Sequence, residues 1–555
     1  MQMFALCPCQ LGDIKFCYLL SISWFSEIYS GHVIAVYVLK ELAAAKERIL
    51  IHSCGKEKPA DTMSDLLEES LKSHLLQLEC HFTWTVDMEE VTDIDNMKDR
   101  LHDQIAFSPS TPKHRLHNLL AYTSYLKGDN QEAIRQLQKA EEHLQGTQTA
   151  HLDIKRAVTY SNYAWLYYHS NQFSKAQSYL ERVEAIYQKC ESSPEHDILL
   201  TERYGEQAWA LLTLYGKYCE RAKECFEKAL VLDPDNPELN SGYATVMYRL
   251  ESQDLILYET SKYKSLEILK RAVTLNENDT VIKALLALKY VYLGQAEEGG
   301  KIMEEALRQT PDSPYLLRHA GKFYRIVGKI DDAITILKKA LNQTPTSCSL
   351  HHQIGLCYKM KVNKLISSAK IAKSLCQPTN AYTRDIKEAI SSAVFHFEKT
   401  IALEETFIIA YIDLADMYTK GTQIDKAEDL FQKVLHLGYL TWGEKQQIHF
   451  SYAVFKQHTI KSESKAIRHY KEALLIPNKT RYRAYAEQNL AHLANCKISK
   501  NPSDATGFEL LGFINQQDGK IREAIDSYEK ALELDPDNED YLSALCCMRL
   551  SLSKE

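Results

Sequence analysis

Small and large apolar residues recur along this chain with the spacing of paired helices. The clearest copy of the pattern lies near the C-terminus, and its positions are Phe508, Leu511, Gly512, Gly519, Ala524, Tyr528, Ala531 and Pro536. Small residues allow two helix backbones to approach closely, whereas large residues fill the space beside them. Proline ends the second helix because it cannot donate to the preceding turn. The spacing therefore predicts two helices joined by a short turn, as one unit of a repeat.

Degenerate copies of this unit, roughly nine or ten of them, run from about Asn118 to Leu550. Their spacing is that of the tetratricopeptide repeat, in which a large residue and Leu-Gly precede Ala, an aromatic residue, Ala and a closing proline. One unit cannot bury its own apolar face, so stacked units share a core and curve into a superhelix with a concave inner wall. The sequence predicts an all-α fold, a tetratricopeptide-repeat superhelix (α-solenoid).

The first 62 residues lack the repeat spacing. Their apolar run from Phe16 to Leu39 is interrupted by Glu27 and His32, and it lacks the basic start of a secretion signal. A membrane span or a secretion signal is therefore the disfavoured alternative. We expect residues 1–62 to be an extension outside the fold, residues 63–551 to be the repeat array, and residues 552–555 to be a short tail.

Two stretches interrupt the repeat pattern. Residues 254–264 lie between helical patterns and are predicted to form a loop. Residues 361–387 contain several lysines and Pro378, and they fit either a loop or an extended helix pair. Insertions in repeat arrays collect on one face, where they can shape a binding site.

Composition and charge favour a soluble protein of a reducing compartment. The 14 cysteines of the 555-residue chain show no Cys-x-x-Cys pairs, which favours buried free thiols in a reducing compartment. The formal net charge of −8 argues against uniform coating of nucleic acid. A local basic lining inside an acidic exterior remains compatible with it.

The sequence contains no motif of a catalytic or cofactor site. It lacks a phosphate-binding GxxxxGK[ST] loop, a GxGxxG turn, an HExxH helix and a GxSxG elbow. His351 and His352 are adjacent, so on a helix they point about 100° apart, and they lack a partner cluster for a metal. We therefore expect no enzyme, no catalytic or metal-binding residues and no cofactor.

Cations recur at positions that should face the groove. The first helix of each unit lines the concave wall, and Arg318, Lys322 and Arg325 share one face of such a helix, with Arg249 on a nearby one. Burying like charges together is costly unless an anion neutralises them, and arginine forks bind phosphate well. Pairing with an inward carboxylate such as Glu238 is the alternative.

Trp209 lies in the preceding part of the array. It fits a core position, or it stacks on a nucleic-acid base near the cationic cluster, and spacing alone does not separate these two interpretations.

Several segments resemble the interferon-induced proteins with tetratricopeptide repeats, in the same order along the chain. They are Cys80–Trp84, Asn118–Tyr122, Leu126–Gly128, Asn162–Trp165, Trp209–Leu212, Lys322–Arg325 and His351–Tyr358. The resemblance covers about Met63 to Ser551 and implies a cytoplasmic antiviral effector induced by interferon. RNA-binding members of that family hold the 5′ end of single-stranded viral RNA, triphosphorylated or capped without ribose methylation, in a basic tunnel and block its translation.

The resemblance also implies which residues contact RNA. Motif by motif, it places Arg100, Gln104, Trp209, Arg249, Arg318, Lys322, Arg325, His352 and Gln353 on tunnel positions, and Tyr315 and Lys217 complete the candidate set. Arg100 together with Gln104 is more similar to the cap-sensing member than to the triphosphate-only member.

The roles implied by the family divide between base, phosphate and sugar. Trp209 would stack on the cap base, and Arg249, Arg318 and Arg325 would grip the phosphates and first nucleotides. Contacts to phosphate, sugar and the first ribose hydroxyls would come from Gln104, His352 and Gln353.

The chain departs from the family beside the expected cap site. Thr213 and Cys219 stand where lysine and tyrosine are usual, and Val281 stands where tyrosine is frequent. These changes remove a phosphate contact and stackable polar rings, for which the nearby Lys217 and Tyr218 are candidate replacements. Affinity for a triphosphate or a cap is then weaker or altered.

Two further expectations concern protein partners. The family associates through a tyrosine–leucine pair that is similar to Tyr528 and Leu532, so homo- or hetero-oligomers with family members are predicted, with the translation initiation machinery as a further candidate partner and no membrane. The second candidate function is a scaffold whose groove binds an acidic peptide or another family member without recognising RNA 5′ ends.

Overall fold

The computed structural model describes residues 63–84, 94–107, 112–145, 152–191, 193, 195–214, 218–253, 264–438 and 440–552. The chain forms two compact units, Met1–Ser70 and Leu71–Glu555. Apart from residues 63–70, which fall in the first unit, the described residues belong to the second. The predicted extension, residues 1–62, lies outside the described residues, as do residues 254–263 of the predicted loop, whose last residue, Lys264, begins a helix.

Within the described ranges the chain forms 24 α-helices and no β-strand, as the repeat spacing predicts. The helices are α1 (Met63–Leu75), α2 (Ile94–Phe107), α3 (Lys113–Leu126), α4 (Asn130–Gln145), α5 (Leu152–His169), α6 (Phe173–Cys190), α7 (Glu195–Thr213), α8 (Cys219–Leu232), α9 (Pro237–Gln253), α10 (Lys264–Leu275), α11 (Thr280–Tyr292), α12 (Ala296–Gln309), α13 (Pro314–Ile326), α14 (Ile330–Gln343), α15 (Cys348–Ser374), α16 (Asn380–Leu403), α17 (Ile408–Lys420), α18 (Ile424–Leu435), α19 (Trp442–His458), α20 (Glu463–Leu475), α21 (Arg481–Lys500), α22 (Ala505–Gln517), α23 (Ile521–Leu534) and α24 (Glu539–Leu552).

The helices pair along the sequence and then stack. From α3 to α20 each odd-numbered helix packs against the even-numbered helix that follows it, and α22 and α23 form the last such hairpin. The odd-numbered helices from α7 to α21 also contact one another in succession, so they form one layer of the array. This stacking of hairpins is the tetratricopeptide-repeat superhelix that the sequence predicts.

The turns inside several hairpins depend on glycine in the left-handed conformation. Gly328 has φ of 85°, and its N–H donates to the carbonyl of Arg325 at 3.2 Å while Lys329 N–H donates to the carbonyl of Tyr324 at 2.9 Å. These bonds satisfy the last carbonyls of α13 and turn the chain into α14. Gly128, Gly294 and Gly519 take the same conformation after α3, α11 and α22.

Small residues hold the hairpins together, as the pattern requires. Ala333 and Ala340 of α14 and Ala524 and Ala531 of α23 are completely buried. Around them the apolar residues form successive local clusters, each built from neighbouring hairpins. The core is therefore a chain of contacts between adjacent units, and each unit depends on its neighbours for burial.

The second interruption of the repeat pattern is an extended helix pair, which confirms one of the two sequence alternatives. Helix α15 has 27 residues and α16 has 24, and the two pack along each other. Their turn, residues 375–379, is largely exposed. In the parts of the chain that the structure describes, no helix has the length and apolar character needed to cross a membrane.

Candidate nucleic-acid interface

Helix α13 presents three cations on one face. Ser313 caps its N-terminus by accepting from Leu316 N–H at 3.5 Å, and Pro314 occupies the first turn. The opposite face is buried, because Leu317 and Phe323 pack into the core and Gly321 lies so close to Leu337 that a Cβ atom would collide with it. This packing fixes the direction of the remaining face, which carries Arg318, Lys322 and Arg325.

The partners of these three cations are neutral groups. The Arg318 guanidinium lies 5.6 Å from the centre of the Tyr315 ring, and Lys322 Nζ lies 5.6 Å from the centre of the Tyr292 ring. No carboxylate of the described residues lies within ion-pair distance of Arg318, Lys322 or Arg325. The pairing alternative, in which groove carboxylates neutralise them, therefore does not describe these three side chains.

Arg325 is positioned by α15. Its Nη2 donates to Gln353 Oε1 at 3.3 Å, and its Nη1 contacts Met360 Sδ at 3.9 Å. Gln353 thus belongs to the cationic cluster, as the resemblance implies.

His319 is the group that sequence analysis missed. Burial lowers the pKa of His319 well below its ordinary value, and the nearby charges of Arg318, Lys322 and Arg249 lower it further. The imidazole is therefore neutral at physiological pH. The charge of Arg249 on α9 thus acts on His319 together with the two charges of α13. The only sequence signal for His319 is its position next to Arg318.

Arg249 also connects this cluster to the end of α7. Its Nη1 donates to the carbonyl oxygen of Leu212 at 2.7 Å. The Leu212 carbonyl lies in the last turn of α7, three residues beyond Trp209. The structure therefore brings α7, α9 and α13 together around one group of cations.

Arg100 meets the same region through a contact between distant parts of the chain. The Tyr315 hydroxyl donates to the backbone carbonyl of Arg100 at 3.4 Å, which joins α2 to the first turn of α13 across 215 residues. Contacts from α2 through α3, α7, α9 and α11 to α13 complete a closed ring of helices. Gln104 lies one turn beyond Arg100 on α2 and is half-buried.

Trp209 is half-buried beside a close approach of two helices. Its ring lies edge-on to Phe226 with the ring centres 5.6 Å apart, and Gly242 of α9 leaves the space that both rings occupy. A Cβ atom at Gly242 would stand 3.0 Å from Trp209 and would collide with Phe226. The tryptophan is thus partly packed in the core and partly exposed, and stacking on a base stays a prediction.

Glu238 does not neutralise the cations of α13. It pairs with Arg115 of α3, which also binds Glu202 at 2.8 Å and lies 3.9 Å from Glu206. Arg115 is 6% exposed and Glu206 is 3% exposed. Burial raises the pKa of Glu206 to about 7, against the opposing effects of Arg115 and of the hydrogen bond from Asn118. This arginine–carboxylate cluster holds α3, α7 and α9 together.

His352 points away from the cluster that contains its neighbour Gln353. Its Nε2 lies 2.9 Å from Asp413 Oδ2, and Phe407 packs against its ring with the centres 4.8 Å apart. Asp413 also accepts from Lys359 Nζ at 2.9 Å. Buried contacts with α17 therefore surround His352, and the structure does not bring it to the cations of α13.

The positions that depart from the family are mostly buried. The Thr213 hydroxyl donates to the carbonyl of Trp209 at 2.8 Å. Burial raises the pKa of the Cys219 thiol, although Arg249 lies near it. Val281 is half-buried at the start of α11. Lys217 lies outside the described residues, and its neighbour Tyr218 is buried, so the structure gives no position for the replacement lysine.

The predicted oligomerisation pair lies on α23. Tyr528 is 2% exposed, and its hydroxyl donates to Gln516 Oε1 at 2.8 Å. Leu532 is half-buried against the same apolar cluster, which includes Leu545 and Met548 of α24. Tyr528 therefore contributes to packing within the chain, while Leu532 retains an exposed part.

The described part of the chain contains no group of three or more His, Cys, Asp or Glu side chains arranged to hold a metal ion. Around α13, arginine and lysine groups instead lie beside neutral hydrogen-bonding side chains, and such groups are suited to contacts with anions.

Comparison with known proteins agrees with the repeat pattern. Models of the family described as "Tetratricopeptide repeat" match residues 114–189 and 505–538. The chain is 40% identical over 475 residues to "Antiviral innate immune response effector IFIT1" of Homo sapiens, covering 85% of this chain and 98% of the human protein. It is 35% identical over 481 residues to human "Interferon-induced protein with tetratricopeptide repeats 2", covering 85% and 97%.

Two solved structures share the fold over most of the chain. The human IFIT1 dimer with m7Gppp-AAAA superposes with a TM-score of 0.73 at 39% identity and covers 84% of this chain and 100% of the human one. The human IFIT1 dimer with PPP-AAAA gives a TM-score of 0.71 at 38% identity with the same coverage. Sequence identity over nearly the whole length of these relatives shows that this chain belongs to the family of interferon-induced proteins with tetratricopeptide repeats.

Proposed function

We propose that this protein is an interferon-induced antiviral effector of the cytoplasm, without catalytic activity, that binds single-stranded RNA by its 5′ end. The RNA carries a 5′-triphosphate or a cap without ribose methylation. Binding withholds that end from the translation initiation machinery and so blocks translation. Support comes from human IFIT1, whose solved structures contain m7Gppp-AAAA and PPP-AAAA. We place the functional protein at residues 63–551, with residues 1–62 outside the binding fold.

The observation that carries this proposal is the set of cations on α13. Arg318, Lys322 and Arg325 share one face, none of them has a carboxylate of the described residues within ion-pair distance, and Arg249 approaches the same place. Like charges held together repel one another, and partial burial strengthens that repulsion because water screens it less. A triphosphate supplies several negative charges and many acceptor oxygens at one point. It is therefore the kind of ligand that neutralises this cluster.

Residues that contact the cations have separate roles in the proposed site. Gln353 holds the Arg325 guanidinium through its side-chain oxygen, and the Leu212 carbonyl holds Arg249. Tyr315 links the cations of α13 to Arg100. Trp209 offers the exposed part of its ring for stacking on a cap base, which is worth about 1–3 kcal/mol.

The departures from the family bear on the choice between cap and triphosphate. Thr213 cannot replace a lysine, because its hydroxyl already donates to the Trp209 carbonyl. Cys219 is buried and offers no ring for stacking. The cations of α13, in contrast, are all present. We therefore propose that triphosphate contacts are better preserved in this chain than cap contacts.

Matched RNAs test the function directly. Four RNAs of one sequence with hydroxyl, triphosphate, unmethylated-cap and ribose-methylated-cap 5′ ends should bind with different affinities, the triphosphate and unmethylated-cap forms most tightly. Fluorescence anisotropy at fixed ionic strength measures this, since affinity for nucleic acid depends strongly on salt. Equal binding of all four RNAs would instead favour the scaffold function, in which the groove accepts an acidic peptide.

Self-association through α23 is a separate proposal, supported by the dimeric state of human IFIT1 in its solved structures. Leu532→Glu should shift a concentration-dependent oligomer to monomer without unfolding it, because the change places a charge on a half-buried apolar contact. Sedimentation velocity is the measurement, and Lys530→Glu on the same helix is the control. An unchanged sedimentation profile for Leu532→Glu would count against a role of this helix in assembly.

A further inference from the structure

The tip of the extended helix pair, residues 361–388 of α15 and α16, differs in charge from the rest of the molecule. It contains six cations, which are Lys361, Lys364, Lys370, Lys373, Arg384 and Lys387, against the two carboxylates of Asp385 and Glu388. The whole chain has a formal net charge of −8. The tip is therefore a local basic surface on an acidic protein, and such a surface attracts anionic partners.

Most of these cations are exposed and lack an ion pair. Lys361 binds Asp331 at 2.7 Å, and Arg384 lies 3.7 Å from its neighbour Asp385. The side chains of Lys364, Lys370, Lys373 and Lys387 are exposed, and no carboxylate of the described residues lies within ion-pair distance of them. Four positive charges are thus available to a partner.

The tip continues the helix that positions Arg325. Gln353 and Met360 of α15 both contact Arg325. At about 100° per residue, Lys364 lies about 20° round the axis from Gln353 and about 40° from Met360, so it follows them on the same face. Further along the same helix, Lys370 lies about 100° and Lys373 about 160° round the axis from Gln353, so the lysines wind from this face to the opposite one. At 1.5 Å per residue, Lys373 is about 30 Å from Gln353 along the helix axis.

We infer that the tip binds the phosphate backbone of the RNA downstream of its 5′ end. This inference rests on the proposed function, because it takes the 5′ end to lie at the cations of α13. Even in a stacked strand each phosphate advances by about 3.4 Å, so roughly nine nucleotides cover the distance from Gln353 to Lys373. Lys364 is about 16 Å from Gln353 and is reached by about five nucleotides, so RNAs shorter than this bind through the 5′-end site alone and longer RNAs reach successive lysines of the tip.

The surface of the tip favours a nucleic acid over a protein partner. Its exposed apolar side chains are Ile371 and Leu375, which are 61% and 62% exposed and lie one turn apart. Two aliphatic side chains make a much smaller patch than the ~800 Å² that each partner buries in a stable protein interface. Spaced lysines without carboxylate partners are instead the feature that a polyphosphate backbone requires.

The experiment compares RNA length with charge removal. Lys364→Gln, Lys370→Gln and Lys373→Gln are combined in one variant. The control variant combines Lys270→Gln, Lys301→Gln and Lys433→Gln, which removes the same charge from exposed lysines that already pair with carboxylates. Both variants and the unchanged protein are titrated with 5′-triphosphate RNAs of 4 and 20 nucleotides at several salt concentrations.

We expect the tip variant to bind the 20-nucleotide RNA roughly tenfold more weakly at low salt and to bind the 4-nucleotide RNA as the unchanged protein does. The slope of log K against log salt for the long RNA should fall by about 0.7 for each phosphate that the tip no longer neutralises, so by up to about 2. The control variant should match the unchanged protein with both RNAs.

Two results would overturn the inference. In the first, the unchanged protein binds both RNA lengths with equal affinity. In the second, the tip variant binds both RNAs as the control variant does. Either result would mean that the tip does not bind RNA. Both are distinct from failure of the proposed function, which would appear as equal binding of triphosphate and hydroxyl 5′ ends by the unchanged protein.

Discussion

Arg325→Glu should abolish the preference for a phosphorylated 5′ end and weaken triphosphate RNA at least about a hundredfold. The change removes a guanidinium that can make two charge-assisted hydrogen bonds, each worth about 1.5–3 kcal/mol. It also places a carboxylate opposite the triphosphate, beside Arg318 and Lys322. The side-chain oxygen of Gln353 would no longer accept a hydrogen bond from this position, because a carboxylate has no proton to donate. Titration with triphosphate and hydroxyl RNAs of the same sequence measures the effect.

One control variant separates this effect from a general change in charge, and a second variant separates phosphate binding from cap binding. Arg308→Glu makes the same reversal at an exposed position of α12 and should leave RNA binding nearly unchanged. Trp209→Ala should weaken capped RNA more than triphosphate RNA, because stacking on its ring serves the cap alone. If Arg325→Glu and Arg308→Glu bind triphosphate RNA equally well, the 5′-end site is not at α13, and the peptide-scaffold function becomes the better explanation.

Arg115→Met should reduce the free energy of unfolding by about 3–5 kcal/mol. Removal of one partner from a buried ion pair leaves an uncompensated buried charge, and a change of this size is typical of that loss. Here Glu206, 3% exposed, and Glu238 would lose the guanidinium that binds them, with Glu202 nearby. Urea titration followed by circular dichroism gives the value. Arg135→Met is the control, since Arg135 is 58% exposed in its pair with Glu132 and its loss should cost less than about 0.5 kcal/mol.

The pH dependence of the Arg115→Met deficit identifies its cause. Burial already raises the pKa of Glu206 to about 7, above its value in an unfolded chain, and the loss of Arg115 raises it further. A carboxyl whose folded pKa is raised destabilises the fold above that pKa, and the penalty disappears as the pH falls towards the unfolded value near 4.5. Below about pH 7 Glu206 is protonated even with Arg115 present, so the deficit should be largest at high pH and should shrink as the pH falls from about 8 to about 6. A deficit that does not change with pH would indicate lost packing instead.

The repeat architecture was predictable from sequence because its determinants are local. The spacing of small residues alone marks a hairpin, as Ala333, Ala340 and Gly328 illustrate. In the structure the two alanines are completely buried, and Gly328 takes the left-handed conformation in the turn. The face that carries Arg318, Lys322 and Arg325 follows from helical periodicity in the same way. The long pair α15 and α16 remained one of two alternatives, because spacing does not distinguish an exposed helical extension from a loop.

The contacts that complete the site were not predictable, because they join residues far apart in sequence. No local pattern relates Tyr315 to Arg100, or Glu238 to Arg115, and only the curvature of the array brings each pair together. His352 was placed with Gln353 through the family resemblance, yet neighbouring helix residues point in different directions and His352 binds Asp413. Helical spacing allowed Glu238 to pair with the groove cations, but in the structure it pairs with Arg115.

The ring closed by Tyr315 and Arg100 has a topological consequence. A strand that passes through a closed loop of protein is threaded, so it leaves only by sliding back along its own length or through a break between α2 and α13. Under the proposed function, an RNA whose 5′ end lies inside this ring would need a free end for loading, whatever chemical group that end carries. A covalently circular RNA has no such end and cannot be threaded while the ring stays shut. The protein would then select RNAs with free ends partly because the ring of helices is closed, independently of any contact with phosphate.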